Sequence, residues 1–487
     1  MQRSPFWRQA TPRFSVLFPI VLLGAFALVA GLASLLGDAP RAGAQDGPTA
    51  PRYHEGLALT FDDAPALAAA FLGASIDDLY AYAYDGSAWR RIALQVDERE
   101  GLTGFVAEED GQVDGDDELA WLYADAGPEA PMGDAPASMA RAQAAAAIAV
   151  EDPLREGEAE AVRWIYLFHA PAGTDDPSPE ALVRFDEQAR EVTTADYVLG
   201  FASSAPEDDG FFGIKRISLS GDIETDLVDR TKFRADIDFA GTQLSLTEEN
   251  LSNVLGQFGG AAIDFDIKPI KGGPVRAILS AAGGSAWPRR AALTAATGVA
   301  DGLPGGGGPI AIPITGLKLT LDLNRNAATA GATYSDSNLV EPVPIDGMPD
   351  AVPGSPPPAW RELRLPTASA LLLAGTVDVS STVRAFYADD ESGLEGDTGD
   401  GRSIGEHGVT AEEIGDLFGA GFPGEMVVVP TGEQGPTAEQ LLDARAQPLT
   451  VRVDSVSGGP PEPTATPTPT PTPEAQTFTV HLPWSRH

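Results

Sequence analysis

The chain has 487 residues, with 32 Lys+Arg against 71 Asp+Glu, a formal net charge of -39, and no cysteine. Such acidity excludes nucleic acid and anionic membrane surfaces as partners, because phosphate binding needs clustered cations. Zero Cys excludes disulfides, thiolate metal sites and cysteine nucleophiles together, while a hydrophobic fraction of 43% and a charged fraction of 21% are globular values.

Residues 1–44 have the layout of an export signal. Arg3, Arg8 and Arg13 form a positive n-region, Phe14 to Gly37 carries no charge, and Ala42-Gly43-Ala44 is a small-x-small cleavage site. Two outcomes fit this layout: cleavage after Ala44, or retention of the uncharged stretch as a membrane anchor, the chain's one route to a bilayer. Either outcome places the body outside the cytoplasm, in the extracellular space or at the cell surface.

From residue 46 to 172 the sequence predicts an N-terminal β domain. Leu79 to Tyr84, the Asp85-Gly86-Ser87 turn and Trp89 to Val96 form strand, turn, strand, since Asp-Gly supplies the positive φ of a tight hairpin. The turn-rich stretch Ala170 to Pro177 ends this domain, and a larger one follows over residues 177–455. There Phe233, Ala235, Ile237 and Phe239 alternate with Arg234, Asp236 and Asp238; Ile263, Phe265 and Ile267 alternate with Asp264, Asp266 and Lys268; and Leu317 to Asn324 repeats the pattern. Val275 to Leu279, Thr376 to Val379, Met426 to Val429 and Leu449 to Val453 add strands, whereas helical signals are confined to Thr410 to Phe418 and Thr437 to Ala446. With 53 Gly and 41 Pro, the fold class is all-β, mainly antiparallel β-sandwich or supersandwich with a few short helices. Residues 456–475 form a Pro/Thr stalk of polyproline II character, and residues 476–487 a short apolar tail.

The stalk and its tail, with Val480-His-Leu-Pro483 and Arg486, resemble the C-terminal ends of secreted proteins in some filamentous bacteria, which implies a role in export or surface retention. Two pairs of segments resemble uncharacterised secreted bacterial β-sandwich proteins: Gln95-Val-Asp-Glu-Arg99 with Asp114 to Trp121, and Asp226 to Arg234 with Gly273-Pro-Val-Arg276. Gly-Pro-Val-Arg is similar also to a segment of the supersandwich domains of polysaccharide lyases, a likeness that carries no catalytic residue.

Chemistry in this chain centres on carboxylates, because the five histidines are scattered and no His-Glu-x-x-His, Gly-x-Ser-x-Gly or phosphate-binding loop is present. From Asp97 to Asp125 there are 11 acids and one base. Asp110, Asp114, Asp116 and Glu118 place oxygens at alternate positions with glycines between, the donor set of a structural Ca²⁺ site, although not at EF-hand spacing; the alternative is a solvated acidic loop. A second cluster, Asp389, Asp390, Glu391, Glu395, Asp397 and Asp400, lies beside Tyr387 and His407 and reads as a loop, a second ion site or a sugar-binding rim. Lys232, Arg234, Lys271 and Arg276 are the dense cations of the body, and Trp89, Trp121, Trp164, Trp287 and Trp360 are candidates to stack on sugar rings, Trp164 fitting a core position better. The favoured reading is an exported binding or structural module for an extracellular glycan or cell-envelope component; the alternative is a carbohydrate-active enzyme of lyase or glycosidase type.

Overall fold

The Asp-Gly hairpin is formed as its sequence dictates. Gly86 has φ 97°, and Asp85 Oδ1 accepts from Ser87 N at 2.8 Å and Ala88 N at 2.7 Å, closing the turn. In the computed structural model the described residues are 52, 55–99, 104–105, 110–131, 133–202, 213–239, 242–248, 250, 270–279, 284–296, 314–350, 356–374, 382–393, 398, 401–414, 421–430, 436–458 and 476–479. All of these belong to one compact unit, Thr49–His487. The export segment 1–44, the alternating stretch 263–268, the strand at 376–379, the Pro/Thr tract from 459 and the glycine run 305–308 lie outside them.

The chain runs β1 (Gly56–Thr60), helix α1 (Pro65–Phe71), β2 (Leu79–Tyr84), β3 (Trp89–Ile92), β4 (Gln95–Asp97), β5 (Glu118–Leu122), β6 (Ala144–Glu151) and β7 (Val162–His169). It continues through β8 (Val183–Asp186), β9 (Glu191–Thr194), β10 (Tyr197–Phe201), β11 (Ile214–Leu219), β12 (Val228–Phe239), β13 (Thr242–Thr247), β14 (Lys271–Gly272), β15 (Ala277–Ile278), β16 (Ser285–Trp287), β17 (Arg290–Ala296) and β18 (Ile314–Leu323). Helix α2 (Arg325–Thr329) precedes β19 (Thr333–Asp336), β20 (Val343–Pro344), β21 (Trp360–Arg364), β22 (Ala368–Ala374), β23 (Thr382–Asp390), β24 (Ser403–Ile414) and β25 (Gly421–Pro430), and helix α3 (Ala438–Ala446) precedes β26 (Thr450–Gly458) and β27 (Gln476–Thr479).

The fold is all-β with few short helices, and every strand pairing among the described residues is antiparallel. A three-stranded sheet, β1-β5-β4, packs on a six-stranded sheet, β27-β26-β6-β7-β2-β3. Between them lie Leu57, Leu119, Trp121, Ile148, Ile165, Leu167, Val451 and, from α1, Leu67 and Phe71. A nine-stranded sheet, β14-β15-β16-β17-β25-β22-β21-β19-β20, packs on the sheets β13-β12-β18-β24-β23 and β11-β10-β9-β8 through a second core that includes Leu199, Phe201, Ile217, Leu323, Tyr334, Leu363 and Met426. Helix α3 covers the far side of this sheet, with Leu441 against Leu371 and Val427. Its N-terminus is fixed by Thr437 and Gln440, each side chain bonding the other's backbone N–H. Among the described residues no helix is long and apolar enough to cross a membrane.

Several expectations change. The strand predicted over Trp89 to Val96 breaks at Ala93-Leu94, so β3 belongs to the six-stranded sheet and β4 to the three-stranded one. Thr410 to Ile414, read as the start of a helix, is strand: β24 is paired on both sides, Thr410 facing Lys318 of β18 and Arg384 of β23. Two hydrogen-bonding neighbours override a local helical preference. The second domain drawn from residue 177 does not keep its last strand, since β26 pairs with β6 over Thr450–Gly458 and completes the N-terminal sandwich. In β12, Phe233, Ala235 and Ile237 are buried as the alternation requires, and the strand lies inside its sheet, between β13 and β18.

Candidate functional site: a charged seam and an aromatic sheet face

The acidic loop before β5 is organised by two carboxylates that the sequence did not single out. Glu98 accepts from Asp110 N at 2.6 Å and Gly111 N at 2.7 Å, and Asp117 accepts from Asp114 N at 2.7 Å and Arg99 N at 3.2 Å. Burial pushes the Asp117 carboxyl up to about 6 despite these donors. Of the four expected calcium ligands, Asp110 is exposed and its Oδ1 accepts from Gln112 N at 2.8 Å. Asp114 is exposed and Asp116 half-buried. Glu118 is engaged by two guanidiniums, Arg99 and, at 2.8 Å, Arg276. Among the described residues no three acidic or histidine side chains converge to hold a metal ion, these four included.

In the second cluster Asp389 is buried and accepts from the backbone N–H of Asp346, Gly347 and Gly405 at 2.8–3.1 Å. Asp390 closes a turn onto Ser392 at 2.9 Å, which lowers its carboxyl below the usual range. Glu391 pairs with Arg325 and Arg402. Glu395, Asp397 and Asp400 lie outside the described residues.

Gln95–Arg99 and Gly273–Arg276, far apart in sequence, meet. Arg276, 1% exposed, donates from Nε to Asp97 Oδ2 at 2.7 Å and from Nη2 to Glu118 Oε2 at 2.8 Å. Gln95 Nε2 donates to the other Asp97 oxygen at 2.7 Å, while Gln95 Oε1 accepts from Val275 N and Arg276 N, both at 3.0 Å. Lys271 stands 3.5 Å from Asp97, its ammonium pKa lowered by burial. The guanidinium of Arg276 lies over Phe105 and Trp287, 5.5 and 5.2 Å from the ring centroids. Gly273 has to be glycine, because a Cβ there would stand 2.2 Å from the Gln95 amide carbon. Spacing alone could not bring residues 95–99 and 273–276 together. A buried arginine bonded to two carboxylates, Asp97 and Glu118, joins the two sandwiches beside a small apolar contact of Ala93, Leu122, Val275 and Trp287.

A second buried charge cluster sits on the face of β18 that alternation assigns to water. Lys232 Nζ contacts Asp322 Oδ2 at 2.7 Å and donates to Arg402 O at 2.7 Å. Glu406 is held by Lys318 at 2.6 Å, Thr320 Oγ1 at 2.5 Å and Ser403 Oγ at 2.7 Å. The cations keep the Glu406 carboxyl below the ordinary value against its burial, whereas burial dominates at Asp322 and raises it to about 7. Next in sequence, His407 faces Tyr387 across β23–β24 and packs on Tyr334 at 5.5 Å between ring centroids. Its Nδ1 lies 2.8 Å from Gly405 O, which can only accept, so Nδ1 carries the proton. Nε2 is buried without a partner, and burial lowers the imidazole pKa to about 4.

The outer face of the six-stranded sheet is aromatic. Tyr80, Tyr82 and Tyr84 alternate along β2 and point away from the main core, next to Trp89 of β3 and Trp164, Tyr166 and Phe168 of β7. The strand β6 presents Ala145, Ala147 and Ala149 opposite Phe168, Tyr166 and Trp164, leaving room for the rings. Trp89 meets Tyr166 edge-on at 4.9 Å and Tyr84 at 5.5 Å, and Tyr166 and Trp164 are stacked at 6.4 Å. Part of the face is closed. Tyr82 OH donates to Asp176 Oδ2 at 2.8 Å, Ser138 Oγ donates to the same oxygen at 2.5 Å, and Met139 and Ala142 pack below them. Tyr80, Tyr84, Trp89 and Tyr166 are half-buried, with the exposed Asp85 and Ser87 beside them. Trp164 is buried within this face, Trp121 and Trp287 are core, and Trp360 is half-buried. No protein-family model matches the chain, and no curated protein is significantly similar to it.

Proposed function

We propose that this protein is an exported β-sandwich binding module that recognises an extracellular or cell-envelope glycan through the Tyr84–Trp89–Tyr166 face. The observation that carries the reading is a set of partly exposed rings, fixed against one another at 4.9 and 5.5 Å on a sheet surface. Rings held in place by packing lose little freedom on binding and offer flat apolar area, which suits the C–H faces of sugars, whereas the Trp89 Nε1 is buried and the Tyr166 hydroxyl accepts from Ala130 N at 2.7 Å. Asp85, Ser87 and Arg91 supply donors and acceptors around it, the Arg91 guanidinium lying 4.8 Å from the Tyr80 ring centroid. Export follows from the layout of residues 1–44, and the chain's acidity suits solubility outside the cell. Calcium enters this reading only through Asp110, Asp114 and Asp116, because Glu118 is bound to Arg99 and Arg276.

The alternative, a carbohydrate-active enzyme, is favoured by one observation. Tyr387 OH and His407 Nε2, on the paired strands β23 and β24, and Arg361 Nε, on β21 of the nine-stranded sheet, are buried without partners. A glycan array and an assay for uronate or reducing-end release separate the two. The binding module retains a glycan and releases nothing, and loses retention in Trp89→Ala; turnover that survives Trp89→Ala and stops in His407→Gln supports the enzyme. Melting curves with calcium and with a chelator that coincide remove calcium from the account.

A further inference from the structure

Three adjacent strands bring a lysine, an aspartic acid and a glutamic acid together in the buried layer over β18. Lys232 of β12 faces Thr320 of β18, and Arg230 faces Asp322. Side chains two apart share a face of a strand, so Lys232 reaches Asp322 along the diagonal. On the other side of β18 the register shifts between Leu321, facing His407, and Leu323, facing Ile404. Around that irregularity Ile404 N donates to Asp322 Oδ1 at 3.0 Å. Lys232 Nζ stands 2.7 Å from Asp322 Oδ2 and 3.8 Å from Glu406 Oε2, and the three side chains are 3%, 2% and 0% exposed. The two acids are unequally matched. Glu406 has Lys318, Thr320 and Ser403 to hold its charge, and its carboxyl stays below the ordinary value. Asp322 has the Glu406 charge nearby, and burial raises it to about 7, where it keeps a proton. As an ion pair the contact gains little, since desolvating both charges offsets their attraction. As a carboxylic acid held against a primary amine, away from competing water, it is a reactive pair.

We propose that Lys232 and Asp322 join in an isopeptide bond that the fold itself forms, with Glu406 as the proton acceptor. The ammonium of Lys232 gives one proton to Glu406, and the resulting amine attacks Cγ of the protonated Asp322 carboxyl. The carbonyl electron pair moves onto Oδ1, where the Ile404 N–H donates to it. As the C=O bond re-forms, the Cγ–Oδ2 bond breaks, and Oδ2 leaves as water with its own proton and a second one from Nζ. The products are an amide, one water and a proton on Glu406 that passes to solvent; no oxidant, reductant or activated group is consumed. The one N–H left on Nζ keeps an acceptor in Arg402 O. The structure holds the pair before the bond, with Asp322 still a titrating carboxyl. Once formed, the bond fastens β12 to β18 in the middle of the five-stranded sheet, in a chain whose lack of cysteine rules out a disulfide. It is independent of glycan recognition, because the aromatic face lies on β2, β3 and β7 of another sheet.

The test is mass spectrometry of the full chain, produced as wild type, Lys232→Arg and Glu406→Gln, then denatured and digested with trypsin. Trypsin does not cut after an acylated lysine. The folded wild type is expected to yield a branched peptide that joins residues 231–234 to residues 319–325 and is lighter than the two segments together by one water. Lys232→Arg keeps the cation without the amine, and Glu406→Gln keeps the shape without the base. Both are expected to release residues 319–325 as an unbranched peptide of full mass. Residues 319–325 released unbranched from the folded wild type, or a water lost equally in Lys232→Arg, overturns the proposal; a branched peptide from Glu406→Gln overturns the part given to Glu406. The wild-type digest decides by itself where a variant fails to fold. Glycan retention by Lys232→Arg is expected to equal that of the wild type, so failure of one idea is visible apart from the other.

Discussion

Replacing Arg276 with Met tests the seam between the two sandwiches. Arg276 and Asp97 are 1% and 0% exposed, and the arginine satisfies one oxygen of Asp97 and one of Glu118. Methionine keeps most of the volume over Trp287 but leaves Asp97 with Gln95 and Lys271 as its neighbours. Removing one partner of a buried pair costs about 3–5 kcal/mol, because the remaining charge stays desolvated. The unit spans Thr49–His487, and at about 2 cal/mol/K of unfolding entropy per residue that loss lowers the melting temperature by about 3–5 °C. Asp97→Asn alone should cost less, since an amide can still bond Gln95 and Arg276. The double variant Asp97→Leu/Arg276→Met should recover most of the loss, as neither charge is then stranded. Urea unfolding followed by circular dichroism and tryptophan emission measures all three, with the single transition of the wild type splitting where the seam fails. A cost below about 1 kcal/mol for Arg276→Met, the value of a solvated surface pair, would refute the reasoning.

Three further outcomes are expected. His407 has a native pKa of about 4 against about 6.5 unfolded. The unfolded chain therefore takes up its proton first, and as pH falls from about 6.5 to 4 the native state loses about 3 kcal/mol. Raised values of about 7 at Glu55 and Asp322 act in the opposite sense, since their contribution is present at low pH and lost as pH rises through 7. The His407 share is thus read as the difference between wild type and His407→Phe in urea titrations at pH 7 and pH 4.5. Gly408→Ala would bring a Cβ to 2.2 Å from Leu319 O, and the strand cannot yield between β18 and β23; a loss of about 1–3 kcal/mol is expected in the same titration. Thr437→Ala removes the cap of α3 and should lower stability by about 1 kcal/mol.

Local signals carried the elements that are local. Asp85-Gly86 sets a turn by its own φ and side chain, Thr437 and Gln440 cap a helix within one turn, and β12 shows its burial in its alternation. Partners distant in sequence decided the rest. Thr410 to Ile414 is strand because β18 and β23 flank it, and no window of adjacent residues contains that fact. The polar face of β18 reads as solvent-exposed by the same rule that succeeds for β12, but Lys232 and Glu406 cover Thr320 and Asp322 with a buried ionic layer. The acidic loop was legible as a concentration of charge, whereas its anchors, Glu98 and Asp117, are distinguished from neighbouring acids only by the backbone N–H groups that reach them. The alternation of Leu79 to Tyr84 indicated a strand. That both of its faces would be covered with rings or core followed only once β3, β6 and β7 were beside it.

The most direct test of the functional account is the affinity of Trp89→Ala for whichever glycan the wild type retains, measured calorimetrically beside Trp360→Ala, a half-buried tryptophan of the nine-stranded sheet. The account predicts a loss of at least about tenfold, the worth of one ring contact of about 1.4 kcal/mol, for Trp89→Ala and no change for Trp360→Ala. Equal affinities in wild type and Trp89→Ala, with both proteins folded, would contradict it.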